Sequence, residues 1–319
     1  MKISKKYIKF IILTFIAFLL VYILLQFTSL QSFKQTFSQI TLSLFFGGLI
    51  LYFLIILLRS VQLKYVANNK VSLKDSLFIN SFGLFSLNIL PFRSGELSYL
   101  YLLRKKKLSI HSSLSCLYVL RLSEFTAMFS ILFLSFLYVG LKNVMITKII
   151  FISAIFMAIL AIIFLIIIFK TSYLRIFKHI IYRVIPARQA KKIVKFFSGV
   201  LQSVKEIGIT KTIVAILMAL IVALIKMTLS YAFFIILVQP ASFILILFGL
   251  SLFFIISALP INPPGNLGTF EGILTSIFVA LEFSVEKLVN YSFILHFFIL
   301  FYGLFYSLFF YSYSKIKFI

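Results

Sequence analysis

Six apolar runs, each uncharged or nearly so, dominate the sequence: Phe10 to Phe27, Thr41 to Leu58, Leu114 to Val139, Ile149 to Phe169, Thr212 to Val238 and Leu288 to Tyr311. Each is long enough to cross about 30 Å of hydrocarbon as a helix, the conformation that closes every backbone hydrogen bond within one segment. Such runs predict an all-α, polytopic integral membrane protein with about six spanning helices. Composition agrees, since 12% of the residues are charged, against about 25% in soluble domains. A soluble globule and a disordered chain are both excluded. The first run follows Lys2, Lys5, Lys6 and Lys9, as in a signal peptide, but its core is too long and no small-x-small cleavage site follows. It reads as a retained helix.

The formal charge of +24 does not imply a nucleic-acid partner, because the basic residues cluster between apolar runs and do not line one polar face. The lone Cys116 permits no internal disulfide. His111, His179 and His296 have no ligand spacing and no acidic or thiol companions, so no metal is expected. No Gly-Lys pair occurs, hence no P-loop, and no cofactor is expected. The 319 residues form one membrane domain: an N-terminal half over 1–170, a basic linker over 171–211 and a C-terminal half over 212–319. In the linker Ile193, Phe196, Phe197, Val200, Leu201 and Val204 recur at helical spacing opposite Lys191, Lys192, Lys195 and Lys205. That pattern suits a basic amphipathic helix on an anionic cytoplasmic leaflet, or a helix that only orients the two halves.

Two shorter apolar stretches end in helix breakers. Leu77 to Leu90 meets Pro91-Phe92-Arg93-Ser94-Gly95-Glu96 and a short run to Leu103; Phe243 to Leu259 meets Pro260, Pro263 and Pro264 and continues to Leu281. Proline frees backbone groups that lipid cannot satisfy, so each stretch is read as a re-entrant helical hairpin. With six crossings, two such hairpins and a cytoplasmic N-terminus, 24 of the 31 Lys and Arg fall inside and four outside, leaving Arg93, Arg121 and Lys226 in the membrane. The bias matches the positive-inside rule and sets both termini in the cytoplasm, with a bacterial inner membrane as the expected location. The hairpins then enter from opposite sides, as in an inverted-topology repeat with a site near the midplane.

Both hairpins share Leu-Pro, a polar turn, and Ser/Thr-x-Glu opening a helix: Ser94 and Glu96 in the first, Thr269 and Glu271 in the second. A half-helix N-terminus suits an anion such as a phosphodiester. The acids either stabilise their own helix starts or serve a polar cavity, and carboxylates at membrane depth favour the second. Arg121 and Glu124, three apart on one helix, can pair, one to two turns inside the cytoplasmic end of their span. Lys226, midway along its run, is an open case; Asn88, Asn262 and Asn266 suit turn hydrogen bonds.

Three motifs carry a family resemblance: Leu90-Pro91-x-x-x-Gly95-Glu96 followed by a basic cluster, Arg121-x-x-Glu124, and Leu259-Pro260-x-x-Pro263-x5-Thr269-Phe270-Glu271. Pro264-Gly265-Asn266-Leu267-Gly268 keeps a proline-glycine-glycine-leucine-glycine stretch except for Asn266, which tolerates a left-handed backbone. The sequence resembles the flippase-like family, the transmembrane region of lysylphosphatidylglycerol synthases. The resemblance implies movement of a phospholipid (aminoacylated phosphatidylglycerol among them) or a polyprenyl-linked lipid between leaflets, or support for its synthesis. In the synthases a C-terminal soluble domain transfers the aminoacyl group; this chain stops at Ile319, so no such enzyme activity is expected. Arg93 and Arg121, with the helix starts at Ser94 and Thr269, would receive the phosphate. Glu96, Glu124 and Glu271 would pair with these bases or bind a cationic headgroup. A membrane enzyme with a carboxylate base, and a scaffold or homo-oligomer serving a lipid-synthesising partner, are the competing readings.

Overall fold

The computed structural model describes residues 14–15, 18–139, 155, 182–183, 186–260 and 262–314. The expected span Ile149 to Phe169 lies outside them apart from Ile155, as do most of the linker before Pro186 and the first residues of the span at Phe10 to Phe27. Among the described residues every regular element is helical: α1 (Leu30–Ser38), α2 (Leu42–Val66), α3 (Leu73–Ile89), α4 (Gly95–Lys105), α5 (Ile110–Val139), α6 (Ala187–Leu237), α7 (Phe243–Ile256), α8 (Thr269–Val279) and α9 (Val285–Tyr313). Short 3-10 turns occupy Pro91–Arg93 and Pro264–Asn266. Helices α2, α5, α6 and α9 are long and apolar enough to cross a membrane.

Local chemistry sets the boundaries. Ser29, Thr41 and Ser72 accept backbone N–H bonds from Ser32, Leu44 and Asp75 at the starts of α1, α2 and α3, as N-caps do. Gly208 (φ 79°, ψ 168°) breaks α6 between its amphipathic start and its apolar span. Two spans outrun the apolar runs that announced them: α2 continues past Arg59 to Val66, and α5 begins at Ile110. Arg59, one of the 24 basic residues that the positive-inside count takes as cytoplasmic because it follows the run ending at Leu58, is buried inside a helix instead. Arg121 stands eleven residues into α5, or about 17 Å at 1.5 Å per residue, and so lies nearer mid-helix than one to two turns from the end.

Each half repeats one plan: a short leading helix, a spanning helix, a broken hairpin and a second spanning helix. The halves pack reciprocally. The first spans, α2 and α6, lie against each other; α5 packs on α7 of the other half's hairpin, and α9 packs on α3 in the same way. The leading helices follow suit, α1 against α9 and the start of α6 against α5. Exchanging the halves leaves this set of contacts unchanged, as a two-fold relation requires. Ser115 Oγ donates to Val200 O at 2.9 Å, and the His111 and Phe196 rings lie 5.3 Å apart. The amphipathic part of α6 is thus docked on α5, while Phe197 stays exposed.

Within lipid the packed helices gain no hydrophobic advantage from one another, so close approach and polar contacts decide the association. A Cβ at Gly48 of α2 would come 2.5 Å from the Tyr302 hydroxyl of α9. Tyr302 and Tyr306 donate to the carbonyls of Phe45 and Leu49, each at 2.9 Å. Asn290 of α9 is fully buried: its amide donates to Ser32 Oγ (3.0 Å) and Thr36 Oγ1 (3.2 Å) and its carbonyl oxygen accepts from Thr28 Oγ1 (2.7 Å). Asn290→Ala leaves three hydroxyls without that partner. It is expected to lower stability by about 1–3 kcal/mol, measured as a shift in denaturant unfolding of the detergent-solubilised protein.

The first hairpin is closed from base to tip. At its base Lys106 Nζ, just past α4, lies 2.8 Å from Asp75 Oδ1 at the start of α3, so the chain returns to the level at which it entered. Midway the Tyr99 hydroxyl meets Asn80 Oδ1. Near the tip Gly95 sits against the backbone of Ser86 and Leu87. In the second hairpin Gly249 of α7 admits the Phe278 ring of α8, and Phe253 lies edge-on to Phe270 at 4.8 Å. The two tips touch: Phe92 N–H donates to Asn262 O at 2.9 Å.

Candidate functional site

Two unusual turns shape the site. After Pro91 both Phe92 (φ 54°) and Arg93 (φ 55°) are left-handed, a conformation costing roughly 1–2 kcal/mol per ordinary residue. The reversal brings Arg93 to the cavity and its Nη1 within 3.5 Å of Ser257 O, at the end of α7. In the second turn Gly265, Asn266 and Gly268 carry positive φ (68°, 57° and 77°).

Between the tips and the spans α2, α5 and α6 lies a cavity of about 390 Å³. Its charged lining is Arg59, Arg93, Glu96, Arg121, Glu124 and Lys226. Five of these alternate in sign along one row. Arg93 Nε is 3.8 Å from Glu96 Oε1, and Arg121 Nε approaches the same oxygen at 3.0 Å. Arg121 Nη1 donates to Glu124 Oε2 at 2.5 Å, and Glu124 Oε1 meets Arg59 Nη2. Lys226 stands apart from the row, its ammonium 3.7 Å from the centre of the Phe254 ring, a cation–π contact. The remaining wall is mostly apolar, with Tyr52, Ile55, Leu84, Met128, Phe253 and Phe270 among it. Such a chamber can hold a small charged group and shelter it from lipid.

The sequence-derived candidates divide. Arg93, Glu96, Arg121 and Glu124 meet in the cavity, whereas Ser94, Thr269 and Glu271 do not line it. Ser94 does not cap α4 through its side chain, contrary to the expected arrangement: it is itself helical in backbone, and its hydroxyl turns back to Pro91 O at 2.7 Å. Thr269 likewise donates to Asn266 O (3.0 Å), and Gly268 takes the N-cap position. Glu271 stabilises its own helix start, the first of the two roles considered for it. Its Oε2 accepts from Gly268 N–H at 2.7 Å, and its Oε1 lies 2.6 Å from His296 Nδ1. The His296 ring stacks on Phe270 at 4.2 Å, placing this fully buried pair behind the cavity wall. Asn88, Asn262 and Asn266 all line the cavity; Asn88 Nδ2 also donates to Leu84 O.

Sequence reasoning missed Arg59 and His296 and left Lys226 open. Arg59 ended an apolar run and so read as a boundary charge. His296 is 25 residues from Glu271 on another helix, and no local spacing links them.

Spanning helices, reciprocally packed halves, tip-to-tip broken helices and a charged chamber among them define a polytopic helical membrane protein. The chain belongs to the family of the lysylphosphatidylglycerol synthase TM region, whose profile matches residues 8–305. That membership carries a role connected with membrane lipids. No curated protein and no solved structure matches the chain.

Proposed function

We propose that the protein moves amphipathic lipids, phospholipids or polyprenyl-linked lipids, between the leaflets of its membrane. The headgroup occupies the charged cavity while the tails stay in the bilayer, and the hairpins rock against each other to open the cavity to either side. The observation that carries this reading is the row of five alternating charges, three on the spanning helices α2 and α5 and two at the tip of the first hairpin. Translocon scales set each ionised side chain at the centre of a membrane helix at about 2.5–3.5 kcal/mol, and such residues characteristically mark substrate pathways. Broken helices at the junction of inverted repeats are the usual frame for such a site. We read the activity as transport without covalent chemistry, because guanidiniums flank both cavity carboxylates, which suits them to charge pairing more than to proton abstraction. The Lys and Arg bias supports a cytoplasmic membrane with both termini inside.

The test is reconstitution into liposomes containing tail-labelled fluorescent phospholipid, with label in the inner leaflet followed by its accessibility to dithionite. Wild-type protein is expected to speed exchange over protein-free vesicles. Ala258→Trp, which fills the cavity from its wall, is expected to return exchange to the protein-free rate. Wild-type exchange no faster than that of empty vesicles overturns the reading.

A further inference from the structure

We propose that the cavity selects headgroups of net negative charge, with phosphate esters as the chemical class, and rejects cationic aminoacylated ones. This rests on the transport reading above and adds a sign to it.

The inference comes from which charges are already matched. Both cavity carboxylates are engaged twice: Glu96 by Arg93 and Arg121, Glu124 by Arg121 and Arg59. The cations are not matched in return. Four bases and two acids line the cavity, a formal balance of +2. Arg59 Nε and Arg121 Nη2 are buried and have no hydrogen-bond partner among the described residues; Glu124 Oε1 also has no hydrogen bond there, but it is ion-paired with Arg59. Lys226 has the face of Phe254 and, among the described residues, no carboxylate at ion-pair distance. A buried guanidinium N–H without an acceptor is an unmet demand, and an anionic oxygen meets it with a charge-assisted bond. An incoming ammonium meets the opposite situation. It would have to take a carboxylate from a guanidinium and leave that guanidinium unpaired at depth. Glu96 keeps one exposed edge, yet with its two arginines it forms a trio of net charge +1, which does not attract a cation.

Phosphatidylglycerol and a polyprenyl monophosphate share the required chemistry, an anionic phosphate ester on an apolar tail, and separate arms test them. Purified full-length protein in neutral detergent is titrated with phosphatidylglycerol, polyprenyl monophosphate and lysylphosphatidylglycerol, and binding is read by native mass spectrometry. The same three lipids, tail-labelled, enter the liposome assay. At least one anionic lipid is expected to bind and exchange about tenfold or more in preference to the cationic one, the order of effect expected of a cleft with a net excess of positive charge. Lys226→Gln removes a base whose ammonium, among the described residues, has the Phe254 ring and no ion pair, so little loss of stability is expected, and it is expected to reduce that preference severalfold. Lysylphosphatidylglycerol binding as tightly as both anionic lipids overturns the inference. A tenfold binding preference with no exchange of any lipid sustains the selectivity and refutes transport, so the two failures are distinguishable.

Discussion

Replacing Glu124 by Leu is expected to destabilise the protein by about 3–5 kcal/mol, the usual effect of removing one partner from a buried ion pair. Glu124 sits between Arg59 and Arg121, accepting a hydrogen bond from Arg121 and ion-paired with Arg59. Without it two guanidiniums confront each other, and only Arg121 retains a carboxylate, Glu96. Glu124→Gln keeps an acceptor oxygen but not the charge, and should fall between Leu and wild type. The informative control is Arg59→Met combined with Glu124→Leu, which deletes the pair as a unit. Because buried pairs are replaceable by apolar groups of similar volume at little cost, most of the lost stability should return. Denaturant unfolding in detergent measures all four proteins; a double variant no more stable than Glu124→Leu would show that the glutamate acts through something other than these arginines.

The second large effect is expected from the smallest change, Gly95→Ala. A Cβ there would lie 2.5 Å from Leu87 N and Ser86 C, both backbone atoms of the facing arm. No rotamer relieves a backbone clash, so α3 and α4 must part. Overpacking of a tight interface costs about 1–3 kcal/mol, and with backbone on both sides the upper end applies. Because Glu96 is the next residue, parting the arms also draws its carboxylate away from Arg121, and lipid exchange should fall with stability. Gly272→Ala is the matched control: a Cβ there meets nothing within 4 Å, and both readouts should stay near wild type.

These two positions show where the sequence was legible. Gly95 and Glu96 stood out because proline, turn and Ser-x-Glu lie together on the chain, and a broken helix is a local event. Arg121 and Glu124 could be paired because three residues on a helix fix their separation. Asn266, standing where the resembling family's stretch has glycine, could be read as tolerating a left-handed backbone, and φ is 57° there. What failed was inference from one residue's neighbours to its depth or its distant partner. An arginine at the end of an apolar run looks like a boundary whether it faces headgroups or, like Arg59, another helix's glutamate. Ser94 and Thr269 look like caps, yet the left-handed turn before Ser94 and the glycine before Thr269 give their hydroxyls nearer acceptors. Glu271 and His296 meet only because α8 and α9 pack together, a fact of tertiary structure that no periodicity carries.

The reciprocal packing has a consequence for synthesis. Helix α3 of the first hairpin lies against α9, the last helix of the second half, so it must be made long before its neighbour exists. The gap is roughly 220 residues, or about 11–44 s at ribosomal rates of about 5–20 residues per second. For that interval the nascent first half holds an arm with one flank unoccupied, and the charges it carries have no finished chamber to face. Whatever shields that arm beside the translocon, whether lipid or an insertion chaperone, completes the job that α9 later takes over.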